Sequence, residues 1–357
     1  MHAGPHNAIT DVGGVTVGHC TRDDPGWLTG VTVVVPPQGT VGGADVRGGG
    51  PGTRETDLLD PRCAVDAVDA VVLAGGSAYG LGTADGVLGE LYAAGRGWPV
   101  GPPGQVVPIV PAAIVLDLGR SGVFAHWPTP QDGAVAYRDA RSGPVAQGNV
   151  GAGTGAQAGG LKGGVGTASM VLDSDITVGA LVVCNAVGSA IDLRDGTLLG
   201  TRLGLDGEFA ALGTPDPEKV AAHRAGFLAR TEALRAGMAT TIAVIATDAT
   251  LTKAGCAKLA GVAHDGMARA LSPVHTAYDG DTVFALATCA RPRAWGVDLF
   301  ELQTAAADCL SRAIAHAMAA ARPVDRRADG GMALPAWSDL LPNRRGGPGA
   351  GVEGLIG

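Results

Sequence analysis

Ala236-Gly237-Met238-Ala239-Thr240-Thr241-Ile242-Ala243-Val244-Ile245-Ala246-Thr247-Asp248 follows a polar helical pattern and carries six apolar or threonine positions in a row, 241–246. A run of that kind predicts a strand buried on both faces. Thr-Thr at its mouth fits the strand through β-branching alone. A second reading makes Thr240 a new N-terminus. A hydroxyl is a poor nucleophile until a base takes its proton. An N-terminal threonine carries that base as its own α-amine, of ordinary pKa ~7.7–8.0.

Outward from this stretch, strands and helices alternate loosely. Asp216-Pro217-Glu218 is a helix start, with an acid at the N-cap, Pro at N1 and an acid in the first turn; the helix runs to about 235 and stops at Gly237. Downstream, Thr252 caps a helix to about 271, residues 281–288 form a strand, and an amphipathic helix covers about 298–322. Upstream, strands are expected at 15–20, 31–36, 68–74, 112–118, 176–184 and 187–192, with a loop over 45–55. The alternation gives a layered α/β fold without fixing its topology. After Pro323 the chain is Pro/Gly/Arg-rich, and 323–357 is expected to be a mobile tail.

Composition narrows the classes. Aromatics make up only 4% of the chain, so the core must be built from Val, Ala, Leu and Ile. The 58 glycines have no collagen-like period and are assigned to turns and close backbone approaches. A net charge of −8, with no more than two adjacent basic residues, argues against nucleic acid as a partner. No apolar run reaches membrane-spanning length, and no basic-then-apolar leader is evident, so no membrane partner and a cytoplasmic location are expected. Cys20, Cys63, Cys184, Cys256, Cys289 and Cys309 form no Cys-x-x-Cys pair and read as reduced thiols. The histidines lack metal spacing, His264 and His275 reading as structural, and neither metal nor cofactor is expected.

Two familiar motifs are near misses. Gly75-Gly76-Ser77-Ala78-Tyr79-Gly80 sits between a strand and a helix, as a nucleophile elbow would, but lacks the Gly-x-Ser-x-Gly spacing. Gly151-Ala152-Gly153-Thr154-Gly155 lacks the strand and the acid that a dinucleotide site requires, and Lys162 is followed by glycine rather than Ser or Thr.

Five segments together carry a resemblance: 73–80, 151–162, 182–192, 240–248 and 276–288. The chain resembles the DmpA-type self-processing aminopeptidases and amidases, which include β-peptidyl aminopeptidases and nylon-oligomer hydrolases, over about 8–322. The resemblance implies a single αββα sandwich of the N-terminal-nucleophile type, 1–322, cut into fragments 1–239 and 240–357. It implies Thr240 as nucleophile and Asn185 as the amide that stabilises an oxyanion. It implies Lys162 beside the new amine, its charge disfavouring the protonated form. Asp279 and Asp281 fall on the Asp-Gly-Asp of the nylon-oligomer branch, one carboxylate holding Thr240 and the other orienting Lys162. Small peptides or ω-amino acyl amides are the implied substrates, and a homo-oligomer, a tetramer of processed pairs, the implied assembly.

Met-Ala-Thr also resembles the cleavage site of ornithine acetyltransferases, which supplies acetyl transfer as the rival activity; an unprocessed binding relative is the non-enzymatic rival. Family aminopeptidases place a glutamate and a tyrosine where Ile114 and Leu116 stand. Both residues are expected on one wall of the pocket, which would weaken selection for a free amine.

Overall fold

The computed structural model describes residues 1–232 and 239–343. The expected helix stop at Gly237 lies outside these residues. Two five-stranded sheets stack face to face, and each carries helices on its outer side.

The first sheet contains β1 (Thr16–Arg22), β2 (Thr29–Val35), β4 (Thr53–Arg54), β5 (Val71–Ala74) and β6 (Ala112–Ile114), in the order β1-β2-β5-β6-β4. The second contains β3 (Val41–Val46), β7 (Gly164–Val171), β8 (Thr177–Cys184), β9 (Ile242–Thr250) and β10 (Thr282–Arg293), in the order β7-β8-β9-β10-β3. Helices α1 (Thr83–Ala93) and α2 (Pro130–Arg138) cover the first sheet. After α3 (Pro217–Glu232), helices α4 (Lys253–Ala270) and α5 (Val297–Ala320) cover the second. The result is the αββα sandwich.

The central strand is the one expected from the apolar run. Along β9, Ile242, Val244 and Ala246 face the first sheet and meet Val71, Leu73 and Phe284. Ala243, Ile245 and Ala249 face α4 and α5 and meet Leu259, Ala263 and Leu310. Burial on both sides explains why the run has no polar alternation. Thr252 caps α4, its hydroxyl accepting from the Gly255 N–H at 3.2 Å. Close approach accounts for several glycines. A Cβ on Gly166 would stand 2.0 Å from the Ala313 carbonyl oxygen where α5 crosses β7, and one on Gly86 would stand 1.8 Å from that of Pro130 where α1 meets α2.

Three expectations are corrected. The segment read as loop from residue 45 begins within β3, an edge strand paired antiparallel to β10. Its Gly42 and Gly43 weaken the strand pattern, and both are needed. A Cβ would meet Val68 at 2.3 Å on one face and the Ala257 nitrogen at 2.4 Å on the other. Residues 187–192 form only isolated bridges, Ser189 to Ser272 and Ile191 to Leu198. There the Ser189 hydroxyl accepts the Ile191 N–H at 3.2 Å and ends any ladder. The tail is ordered through 343: Val324–Asp325 pairs with Ala333–Leu334, and Trp337 is buried with its indole N–H donating to the Gly196 carbonyl at 2.9 Å. Residues 344–357 lie outside the described residues.

Candidate active site

Strand register brings the expected residues to one place. At one end of the second sheet Gly164 pairs with Cys184, Val183 with Ile242, Ile242 with Thr282, and Thr282 with Val46. Residues just beyond this row, Lys162, Asn185, Thr240 and Asp281, therefore gather at a single edge. They are 0%, 0%, 3% and 1% exposed.

The backbone about Thr240 is held on both sides. The Ala239 N–H donates to the Tyr278 carbonyl at 3.0 Å, and the Gly280 N–H donates to the Ala239 carbonyl at 2.9 Å. The Thr240 N–H donates to the Asn185 carbonyl at 2.6 Å. The Thr241 N–H donates to Asp281 Oδ1 at 2.7 Å. Gly280 must be glycine, because a Cβ there would stand 2.8 Å from Thr240 Oγ1.

The Asn185 side chain is fixed at its oxygen end. Oδ1 accepts from Arg120 Nη1 at 2.7 Å and from the Gln157 N–H at 3.1 Å. Both partners are donors only, so the amide orientation follows from chemistry. Among the described residues its buried Nδ2 has no partner. An unmade hydrogen bond of that kind costs about 1–3 kcal/mol, and a buried N–H₂ left open is a donor waiting for an acceptor.

Lys162 Nζ donates to the carbonyls of Gly153 at 2.8 Å and Gly163 at 2.7 Å. Burial, helped by the neighbouring Arg120 cation, lowers its pKa from 10.5 to about 7. The glycine-rich segment rejected as a phosphate cradle thus holds an ammonium group instead. Lys162 also pairs with Gln157, the residue whose N–H reaches Asn185.

The two carboxylates take other partners than expected. Asp281 Oδ2 receives the His275 N–H at 3.1 Å and lies 2.8 Å from His275 Nδ1. Asp279 Oδ2 accepts from the Thr276 N–H at 2.9 Å and the Thr276 hydroxyl at 2.6 Å. Burial raises the Asp279 pKa, and the Asp281 charge adds to the rise. Among the described residues neither carboxylate bonds Lys162 or the Thr240 hydroxyl. They shape the backbone loop that grips Ala239 and Thr241 instead. The reason is local: a short polar turn offers its own N–H groups first.

Ile114 is likewise misplaced by the sequence reading. It packs in the outer core with Val31, Val33, Ala74 and Val87, between the first sheet and its helices. The alternate residues of that segment, Ala113 and Val115, face the second sheet. Buried against Gly52 and Gly80, Ile114 forms no open pocket wall that would weaken selection for a free amine.

Two buried charges escaped the sequence reading. Arg120 follows β6 and also donates to the Gly155 carbonyl at 2.5 Å. Asp117 Oδ1 accepts the Gly76 N–H at 2.7 Å, and the Thr29 hydroxyl lies beside the same buried carboxylate. Burial raises the Asp117 pKa and lowers that of Arg120 to about 10. The signal available was an acid and an arginine three residues apart in a Gly-containing turn directly after a buried strand.

The chain is 47% identical, over 97% of its own length and 97% of the relative's, to an uncharacterized aminopeptidase of Mycobacterium leprae (strain TN). It is 30% identical, over 78% of its length and 74% of the relative's, to a 6-aminohexanoate-oligomer endohydrolase of Agromyces sp. (strain KY5R). The solved L-aminopeptidase D-Ala-esterase/amidase of Ochrobactrum anthropi, described as a new variant among the Ntn hydrolase fold, superposes with a TM-score of 0.69 at 25% identity, covering 94% of this chain and 92% of that one. Residues 7–330 match peptidase family S58, so the chain belongs to that family and is a peptidase or amidase, a hydrolase of amide bonds.

Proposed function

We propose that the chain cleaves itself between Ala239 and Thr240 and then acts as an N-terminal-threonine aminopeptidase or amidase. The observation that carries this reading is the grip on that one peptide bond. Its carbonyl oxygen faces the Gly280 N–H, its nitrogen faces the Asn185 carbonyl, and among the described residues the buried Asn185 amide N–H₂ has no partner.

The steps follow from these groups. Lys162, partly neutral near pH 7, takes the proton of the Thr240 hydroxyl. Thr240 Oγ attacks the Ala239 carbonyl carbon, and the negative oxygen that forms is met by the Gly280 N–H. The C–N bond then breaks as Lys162 passes that proton to its nitrogen, which becomes the free Thr240 amine, leaving an ester between the Ala239 carbonyl carbon and Thr240 Oγ. Water hydrolyses the ester to an Ala239 carboxylate and restores the Thr240 hydroxyl. In the processed enzyme that amine is the base for attack by its own hydroxyl on a substrate amide. Asn185 Nδ2 donates to the oxyanion, the substrate C–N bond breaks as its amine leaves with the proton that the Thr240 amine took, and a second water hydrolyses the threonyl ester to release the acyl group as its acid. The likeness to an aminopeptidase and to a 6-aminohexanoate-oligomer endohydrolase supports small peptides and ω-amino acyl amides as substrates.

The test is Thr240→Ala beside Thr240→Ser. The alanine variant should stay one chain and hydrolyse nothing, whereas serine should keep both reactions. Self-cleavage or amide hydrolysis in folded Thr240→Ala contradicts the reading.

A further inference from the structure

Arg120 and Asp117 are buried charges that the chemistry above does not use. Arg120 stands in the turn beyond the end of β6 in the first sheet, yet its guanidinium reaches Asn185 at the end of β8 in the second. A lone asparagine amide can turn over and present either its oxygen or its N–H₂. An oxygen turned toward an oxyanion would repel it. The Arg120 and Gln157 donors hold Oδ1 on their own side and leave Nδ2 on the other.

Arg120 is itself held in place. Its second acceptor is the Gly155 carbonyl, and its own carbonyl accepts the Met332 N–H at 3.0 Å. The same C-terminal segment reaches Lys162, whose N–H donates to the Pro335 carbonyl at 2.6 Å.

We infer that Arg120 is a positioning residue for amide hydrolysis: it locks the Asn185 side chain so that Nδ2 is presented to the oxyanion. This rests on the reading of Thr240 and Asn185 above. Arg120 acts through Asn185, so its worth must vanish when Asn185 has no amide.

The experiment is a double-mutant cycle of Arg120→Lys and Asn185→Ala, with kcat measured per self-cleaved pair and folding checked by thermal melting. Lysine keeps the charge opposite Asp117 but not the planar fork. Arg120→Lys should lower kcat about 100-fold, the cost of roughly 1 Å of misplacement, with KM within about threefold. In the Asn185→Ala background the same change should cost less than about threefold. Equal losses in both backgrounds, or wild-type kcat in folded Arg120→Lys, overturn the inference. If Arg120→Lys does not fold, the neutral pair Asp117→Asn/Arg120→Met enters the cycle in its place, and the same outcomes decide. Thr240→Ala assayed alongside separates the two ideas. Activity there sinks the nucleophile reading, whereas a dead Thr240→Ala with an additive cycle sinks only the role of Arg120.

Discussion

The Gly280 N–H donates to the Ala239 carbonyl oxygen at 2.9 Å, so the glycine between Asp279 and Asp281 addresses the bond that precedes Thr240. The same residue leaves room for the hydroxyl, since a Cβ at Gly280 would stand 2.8 Å from Thr240 Oγ1 and 2.7 Å from the Gly50 carbonyl oxygen. Gly280→Ala should therefore slow self-cleavage by at least about 100-fold, because a displacement near 1 Å at the attacking atom has that cost. A gel time course after rapid purification reads this, and wild-type cleavage in Gly280→Ala would remove Gly280 from the account.

Asn185 supplies the second prediction. Asn185→Ala should lower kcat of the processed enzyme roughly 10²–10³-fold with little change in KM, as expected for a donor used in the transition state. Asn185→Asp should be at least as damaging, because an ionised carboxylate has no N–H to offer. Steady-state kinetics on a chromogenic amide decide it, and near-normal turnover in Asn185→Ala rejects the oxyanion role.

The pH dependence of self-cleavage follows from Lys162. Burial, then the Arg120 charge, lowers its pKa from 10.5 to about 7. Only the neutral amine takes a proton, so the rate should climb as pH rises through about 7 and level off above it. Lys162→Met should cleave slowly and lose that limb. A rate independent of pH between 6 and 8.5 in the wild type would contradict Lys162 as the base.

A fourth prediction concerns the union of the two fragments. Arg312 in α5 is wholly buried; its Nε donates to Glu208 Oε2 at 2.7 Å and its Nη2 to Asn7 Oδ1 at 2.7 Å. Arg312 lies after the cleavage point, and Glu208 and Asn7 lie before it. Despite burial, bonds from His316 and Arg312 hold the Glu208 carboxyl well below its usual range. This stabilisation is complete above the ordinary glutamate pKa of 4.5 and is lost as pH falls below it. Arg312→Met leaves that carboxylate buried without its main partner and should cost about 3–5 kcal/mol. Denaturant melts of wild type and variant measure it; an unchanged midpoint would show that the pair does not clamp the fragments.

The sequence made the β9 strand legible because both of its faces are buried, which leaves an unbroken apolar run. It made α4 legible through the Thr252 cap. Asn185, Lys162, Asp279 and Asp281 were legible only through the family resemblance, since each alone is an ordinary turn or surface residue. β3 was hidden because packing on both faces demands Gly42 and Gly43, which read as loop. The Arg120–Asn185 bond was hidden because it joins two sheets across 65 positions of sequence. The ordered end of the chain was hidden because one buried indole, Trp337, anchors a segment whose composition resembles a free tail.

The central claim is self-cleavage before Thr240, and intact mass spectrometry of the purified chain tests it most directly. After incubation at neutral pH the account predicts two associated fragments of 239 and 118 residues (357 − 239), the smaller beginning Thr-Thr-Ile. A single species of 35.4 kDa that persists through that incubation would contradict it.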